Sequence, residues 1–349
     1  MNVIDDAAVG PYERVVHAED PRSGLRAIVA VHSTALGPAV GGTRFHPYAS
    51  EASATIDALR LAEGMTLKAA AAGLPLGGGK AVILGDPERL RSPELWRAYA
   101  ELVDRFGGGY RTAEDVGTTP ADMAQVRAHT PYVLGLPGAG GWDGDPSPYT
   151  ARGVLAAMRA AWEDETGAQD LTGARVVVEG VGKVGGALAA LLAAEGARVA
   201  VSDVRTERAV AVAARTGARA LDPATAALQP CDILAPCAMG GGLTHESVPR
   251  LRCRWVVGSA NNQLSDPGVA AVLRDLGIGY VPDFVANAGG LICVAQELEG
   301  WDAGRAGAAA DRIGDVVREL ILAADAGGTT LLEAAHRRAA GRLAPVAAP

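Results

Sequence analysis

The 349-residue chain has no uninterrupted apolar run of about 18 residues, so no segment is expected to span a membrane. Its start, MNVIDDAAVGPYERVV, lacks a basic stretch leading into an apolar one. No secretory leader is expected, and the chain reads as cytoplasmic. No cluster of lysine and arginine offers a track for phosphates, and the net charge is −8, which argues against a nucleic-acid partner. The four cysteines (Cys231, Cys237, Cys253 and Cys293) do not fall at zinc-ligand spacing. Each lies in or beside an apolar segment, as buried reduced thiols do. The histidines (His17, His32, His46, His129, His245 and His336) include no pair at helical ligand spacing, so no metal site is expected. There is no repeat of fixed period and no low-complexity tract.

What is present is a globular balance, 49% hydrophobic and 21% charged, in a chain long enough for two domains. Residues 25–33 alternate as a strand, and helical spacing of apolar residues follows over 51–70. GLPLGGGKAVILGDP reads as loop, short strand, loop. Helices are expected over 93–106 and 120–129, with YRTAEDVG as a strand end entering a loop. LGLPGAGGWDGDPS, residues 134–147, has the composition of a linker or hinge. After a helix over about 149–165, the short apolar runs RVVVEG, RVAVSD, CDILAP, RWVVGS and GYVPD alternate with helical stretches or turns, the signature of a parallel sheet. Residues 302–325 and 329–343 read as amphipathic helices, and the final VAAP as a frayed end.

The expected fold is therefore α/β in two domains. An N-terminal domain (1–135) would bind substrate and mediate oligomerisation. A Rossmann domain (136–330) would bind dinucleotide, and a C-terminal helix (331–349) would pack back on the first domain. The nucleotide assignment rests on Gly180-Val181-Gly182-Lys183-Val184-Gly185, which follows the strand ARVVVE and opens the helix KVGGALAALLAAEGA. The first glycine makes the tight turn, the second admits a pyrophosphate, and the third lets helix and strand pack closely. Asp203 ends the next strand, where a carboxylate binds the ribose hydroxyls and repels a 2′-phosphate. That favours NAD over NADP, although Arg205 and Arg208 lie nearby.

Two lysines stand out in the first domain. Lys68 lies near a helix end, and Lys80 follows three glycines and precedes the apolar AVIL. Burial would lower an amine's pKa and make it a usable general base. Taken alone, the residues leave open that both are ordinary surface lysines.

The motifs HSTALGPAVGGTRFHPYAS, GMTLKAAAAGLPLGGGKAVI, TAEDVGT, GDPSPYTARGV, GVGKVG, DILAPCAMGG, GSANNQL and PDFVANAGG occur in this order. From about residue 14 to about residue 300 the chain resembles the amino-acid dehydrogenase family of leucine, valine and phenylalanine dehydrogenases. Within that family it looks most like the valine dehydrogenases of actinomycetes, through HSTALGPAVGGTRFHPYAS and GVGKVG. The resemblance implies NAD-linked oxidation of a small apolar L-amino acid to the 2-oxo acid and ammonium, by a homo-oligomer of two or more copies. Lys80 would be the general base, with Asp115 holding it and the reacting amine. Lys68 would bind the substrate carboxylate with Gly41, Gly42 and Met65, and Asn262 would orient it. Val40, Ala113, Leu291 and Val294 would line the side-chain pocket. Arg44, Asp115, Thr150, Val204, Arg208, Ala238, Met239, Ser259, Ala260 and Asn261 would line the cofactor, beside Gly180–Gly185 and Asp203.

Leu291 stands where many leucine dehydrogenases carry valine, and Val40 where they tend to carry leucine, so one wall grows as the other recedes. The sequence assigns no role to Trp142, and the C-terminal tail departs from the family's. An aromatic substrate, a catalytically silent dinucleotide-binding homologue and a hydroxy-acid dehydrogenase are the competing readings. Binding NAD needs neither lysine, and hydroxy-acid enzymes lean on a histidine base, so the Lys68, Lys80, Asp115 and Asn262 set favours the amino-acid reaction.

Overall fold

The computed structural model describes residues 1–138 and 141–344. Ala139 and Gly140 of the expected linker, and the terminal VAAP, lie outside the described residues. The chain divides into two compact units. The first comprises Met1–Asp145, Glu297–Trp301 and the residues from Ala339 onward; the second comprises Pro146–Gln296 and Asp302–Arg338. The division thus falls after Asp145, inside the Gly/Pro/Asp-rich stretch.

The first unit is built on a seven-stranded sheet. Strands β1 (Asn2–Val9) and β2 (Tyr12–Asp20) form a hairpin whose turn places Gly10 at φ 61, and β3 (Leu25–Ser33) extends it antiparallel. The short strands β4 (Ala39–Val40) and β5 (Thr43–His46) both run parallel to β6 (Gly77–Leu84), which also pairs antiparallel with β3. Helix α1 (Glu51–Ala71) starts at a capping box between Ser50 and Ser53, which satisfies main-chain N–H groups of the first turn. Its Ala54, Ala58 and Ala62 pack on Ile28, Ala30 and Val82. After the short α2 (Pro87–Leu90), α3 (Pro93–Asp104) covers the opposite face with Leu95, Trp96, Tyr99, Leu102 and Val103. Trp96 is fully buried, edge-on to Phe45 at 5.9 Å, and truncating it to alanine would cost about 3–5 kcal/mol. Strand β7 (Tyr110–Arg111) adds to β4, and α4 (Pro120–Arg127) follows. Trp142 is buried in this unit against Trp301, with ring centroids 4.3 Å apart.

Covered on both faces, β6 is buried along its whole length. Its first three residues are Gly77, Gly78 and Gly79, which the sequence reads as loop. They are strand, and they are glycine because the neighbours are too close for a side chain. A Cβ at Gly77 would lie 2.0 Å from the Ser33 carbonyl oxygen, and one at Gly78 would lie 2.1 Å from the Thr66 amide of α1.

The second unit opens with α5 (Ser147–Thr166), which ends at Gly167 in the left-handed region. Its six strands β8 (Arg175–Glu179), β9 (Arg198–Ser202), β10 (Arg219–Ala220), β11 (Ile233–Pro236), β12 (Trp255–Val256) and β13 (Gly279–Tyr280) are all parallel. Their order is β10-β9-β8-β11-β12-β13. The chain thus winds outward first one way and then the other, and such a sheet binds dinucleotides where its order reverses, at the ends of β8 and β11. Helices α6 (Lys183–Ala194), α7 (Thr206–Thr216) and α8 (Val269–Asp275) connect strands, and Val177, Leu234, Val256, Leu273 and Tyr280 share one core. The short α9 (Asp283–Ala286) and α10 (Gly289–Gln296) follow β13.

The single helix read over 302–325 is two, α11 (Ala303–Asp311) and α12 (Ile313–Gly327), meeting at Arg312. Gly314 approaches the Ala156 carbonyl of α5, and Gly153 of α5 presses on Ile313, so α12 lies close along α5 from its first turn. Helix α13 (Leu331–Leu343) falls partly in each unit, dividing at Arg338.

Candidate active site

Lysine is rarely buried in a sheet interior without a charged partner. Lys80 sits opposite Ala30 in β6, on the face that carries Gly78 and Val82 toward α1, and only 5% of it is exposed. Its partner is Asp115, whose Oδ2 lies 3.0 Å from the Lys80 Nζ. Burial pushes the amine below the ordinary lysine range, Asp115 pulls it back up, and Arg44 adds to the fall. For Asp115 burial acts upward, but Lys80 and Arg44 outweigh it and hold the carboxyl below the usual carboxylate range.

The pair is held from several sides. The Arg44 Nε donates to Asp115 at 3.1 Å, and its Nη1 donates to Asp57 of α1 at 2.8 Å. Tyr48 donates its hydroxyl to the same Asp57 oxygen at 2.7 Å. The Asp115 amide donates to Thr118 Oγ1, which donates to the Thr43 carbonyl. Behind them, Thr43 Oγ1 meets both the Tyr99 hydroxyl and Thr112 Oγ1 at 2.5 Å, and the Tyr110 hydroxyl donates to the Gly41 carbonyl at 2.6 Å. This buried polar network is closed on itself, which makes the segment stiff.

Gly41 and Gly42 interrupt the line of β4 and β5. A Cβ at Gly41 would lie 1.7 Å from the Gly79 carbonyl oxygen, and one at Gly42 would lie 2.5 Å from the Glu114 carbonyl oxygen. The main chain therefore runs bare beside β6 and the Asp115 loop. Met65 and Lys68 of α1 are half-buried. The helix touches β6 at Thr66 and Gly78, and Lys68 and Lys80 each stand two residues beyond that contact. Val40 is buried and Ala113 half-buried in the same unit. Arg44, expected to line the cofactor, has its guanidinium paired with two carboxylates here.

The second unit carries the remaining expected residues. Gly180 adopts φ 88, and a Cβ there would lie 2.6 Å from the Cβ of Ala238. At Gly185 a Cβ would meet the Gly180 carbonyl oxygen at 1.9 Å, whereas at Gly182 it would meet nothing within 4 Å. Two glycines are thus filled by the fold and the middle one stays open, as a pyrophosphate requires. Lys183 begins α6 and Val184 follows it, half-buried. Asp203 is 9% exposed; its two oxygens accept from the Val181 and Arg205 amides at 3.0 and 2.9 Å. Val204 and Met239, at the ends of β9 and β11, are 88% and 89% exposed. Apolar side chains so bare are suited to cover a flat base. These features fit a dinucleotide.

Ser259, Ala260 and Asn261 form a loop steadied by Asn287, whose Nδ2 donates to the Ser259 carbonyl and to Asn261 Oδ1 at 3.1 and 2.7 Å. Asn262 is in the left-handed region at φ 52, and it alone among the described non-glycine residues has a positive φ. Such strain gathers at functional positions. Thr150 donates to the Pro146 carbonyl, and the glycines of NAGG let α10 press on it: a Cβ at Gly290 would lie 2.8 Å from Thr150 Oγ1. Leu291 and Val294 on α10 are both 9% exposed. The sequence reading missed Asp57, Tyr48, Thr118 and Asn287, and spacing carries no signal for them.

The family model described as Glu/Leu/Phe/Val dehydrogenase, dimerisation domain, matches residues 12–132. That described as Glutamate/Leucine/Phenylalanine/Valine dehydrogenase matches residues 140–207 and 205–304. A leucine dehydrogenase of Geobacillus stearothermophilus is 44% identical over 332 residues, covering 95% of this chain and 90% of that protein. A valine dehydrogenase of Streptomyces coelicolor is 48% identical over 342 residues, covering 96% and 93%. Among solved structures, an L-tryptophan dehydrogenase from Nostoc punctiforme superposes with a TM-score of 0.86 at 38% identity, covering 95% of this chain and 96% of that one.

Proposed function

The chain belongs to the glutamate/leucine/phenylalanine/valine dehydrogenase family, and from that premise we propose that it oxidises branched-chain L-amino acids with NAD. The reaction is L-amino acid, NAD⁺ and water to 2-oxo acid, ammonium and NADH, and it is reversible. The relatives named for leucine and valine support the substrate class. The observation that carries the chemistry is the Lys80 amine, buried 3.0 Å from Asp115.

A nicotinamide dinucleotide held at Gly180–Gly185 and Asp203 would supply the acceptor for the hydride of the substrate's α-carbon. The chain's own groups manage charge and protons. Lys68, with the bare main chain at Gly41 and Gly42 and with Met65, binds the substrate carboxylate. Lys80, its pKa lowered by burial, is neutral often enough to take a proton from the water that attacks the iminium carbon. It returns that proton to the departing nitrogen. Asp115 stabilises the protonated lysine while Arg44 keeps the carboxylate ionised and in place.

Val40 and Ala113 in the first unit, and separately Leu291 and Val294 in the second, carry no charge. A glutamate side chain beside Val40 and Ala113 would leave its carboxylate unpaired, at a cost of about several kcal/mol. NAD is the proposed cofactor because Asp203 ends β9 where ribose hydroxyls are bound. The reaction draws on a nicotinamide dinucleotide pool, which supports a cytoplasmic location. The match to a dimerisation domain supports a homo-oligomer of two or more copies. The test is stoichiometry with valine: one ammonium and one 2-oxo acid for each NADH formed support the reading. Dinucleotide binding without turnover would make the protein a silent homologue.

A further inference from the structure

Helix α1 packs on the sheet through Ala54, Ala58 and Ala62, and the next member of that four-residue row is Thr66, a wholly buried polar residue. From one side β6 presses on it: a Cβ at Gly78 would lie 2.1 Å from the Thr66 amide nitrogen and 2.3 Å from its Oγ1. From β3 comes His32, whose Nδ1 lies 2.9 Å from the same Oγ1. The Thr66 hydroxyl donates to the Ala62 carbonyl one turn back, at 3.3 Å. Its single proton is thereby used, so the His32 Nδ1–H is the donor of the pair. That N–H is present in one neutral tautomer and in the imidazolium alike. The placement of His32 is itself irregular. Val31 of β3 faces Gly79 of β6 but Ser33 faces Gly78, so His32 has no opposite number in the ladder. A slip of this kind re-aims a side chain. The ring stands edge-on to Tyr12, with centroids 5.1 Å apart.

We propose that His32 is a positioning residue for substrate binding: by donating to Thr66 it fixes the rotation of the last turns of α1, and so where Met65 and Lys68 meet the substrate carboxylate. The inference rests on the reading that Lys68 binds that carboxylate. Met65 and Lys68 flank Thr66 in the chain and, three residues apart, leave the helix on one side. The alanines of the row pack closely but make no directional side-chain bond to the sheet. The bond at Thr66 supplies one, two residues from Lys68. The Lys80–Asp115 pair is held by Arg44, so the influence of His32 falls on substrate binding rather than on proton transfer.

The test is a cycle of His32→Ala, Thr66→Val and the double variant in the full chain. The readouts are KM for valine, kcat, and the inhibition constant of 3-methylbutanoate, which carries the carboxylate but no amine. Each single variant should raise KM and the inhibition constant about three- to tenfold, the size of one hydrogen bond, with kcat within about twofold of wild type. The double variant should match the singles rather than multiply them, because both remove the same bond. His32→Asn, whose Nδ2 stands in for Nδ1, should restore part of the binding. Should His32→Ala not fold, His32→Leu supplies the variant without a donor. Unchanged KM, single effects that multiply in the double variant, or a loss of kcat at unchanged KM overturns the proposal. Lys68→Ala separates the two readings. If it weakens 3-methylbutanoate while the His32 variants do not, only this proposal falls; if it changes neither KM nor the inhibition constant, the carboxylate reading of Lys68 falls, and this inference with it.

Discussion

The Lys80 amine and the Asp115 carboxylate stand 3.0 Å apart, with the lysine almost wholly removed from solvent. A buried ion pair is not itself a gain in stability, because desolvation offsets most of the attraction. Its use here is chemical: the amine is held where losing a proton is easier than in water. Lys80→Ala should therefore lower kcat by at least about 10²-fold, the low end for removing a general acid–base. NAD affinity, measured by fluorescence titration, should stay near the wild-type value, since the glycine loop belongs to the other unit.

The sign of the coupling can be read from pH. Burial lowers the Lys80 pKa and Asp115 raises it. Oxidation needs the neutral amine, so kcat/KM for the amino acid should rise with pH and level off below the ordinary lysine range. Asp115→Asn removes the raising influence. The rising limb should then shift to lower pH, while the plateau falls because the protonated lysine has lost its partner. A limb that moves to higher pH would contradict the pairing.

Two glycines in the first unit separate close approach from mere flexibility. At Gly41 a Cβ would lie 1.7 Å from a carbonyl oxygen, whereas Gly64, inside α1, has nothing within 4 Å. Gly41→Ala should destabilise by about 3 kcal/mol or more, the upper range for overpacking. Gly64→Ala should stabilise by about 0.5–1 kcal/mol through helix propensity. Chemical denaturation of the two variants checks both signs.

Glu297 gives a stability prediction. Burial pushes its carboxyl up to about 7, while the Gly135 amide and Trp142 hold it back. Both carboxylate oxygens accept from the Gly135 N–H, at 2.9 and 3.1 Å. The folded state therefore binds the proton more tightly than the unfolded chain, and the stability this confers is lost as pH rises toward about 7. Glu297→Gln keeps an acceptor for Gly135 without the charge. Its thermal midpoint relative to wild type should improve from about pH 5 to about pH 8.

Much of this was open to the sequence, and the reasons differ by element. The strand-turn-helix at Gly180–Gly185 is local, so the roles of its three glycines follow from their spacing and their neighbours in the chain. The lysines are legible only through the order of motifs, because the residues alone leave Lys68 and Lys80 open to being ordinary surface lysines. The run Gly77–Gly79 misled because glycine marks both loops and strands pressed against a neighbour, and only the packing of Ser33 and Thr66 distinguishes them. Strand β1, with Asp5 and Asp6, and the exposed edge strand β10 lack the apolar alternation that identifies a strand. Asp57 and Asn287 escaped notice because they act on residues remote in the chain: Arg44, and the loop of Ser259 and Asn261.

The most direct test of the account is a substrate panel with NAD, read as absorbance of the reduced cofactor. Valine, leucine, isoleucine, phenylalanine, tryptophan and glutamate are compared by kcat/KM. The uncharged Val40 and Ala113 predict overlapping activity on the three branched-chain substrates, because a methylene changes discrimination by only about 1–3 kcal/mol. Glutamate should be turned over poorly. A kcat/KM for phenylalanine or tryptophan well above that for valine, or efficient oxidation of glutamate, would contradict the account.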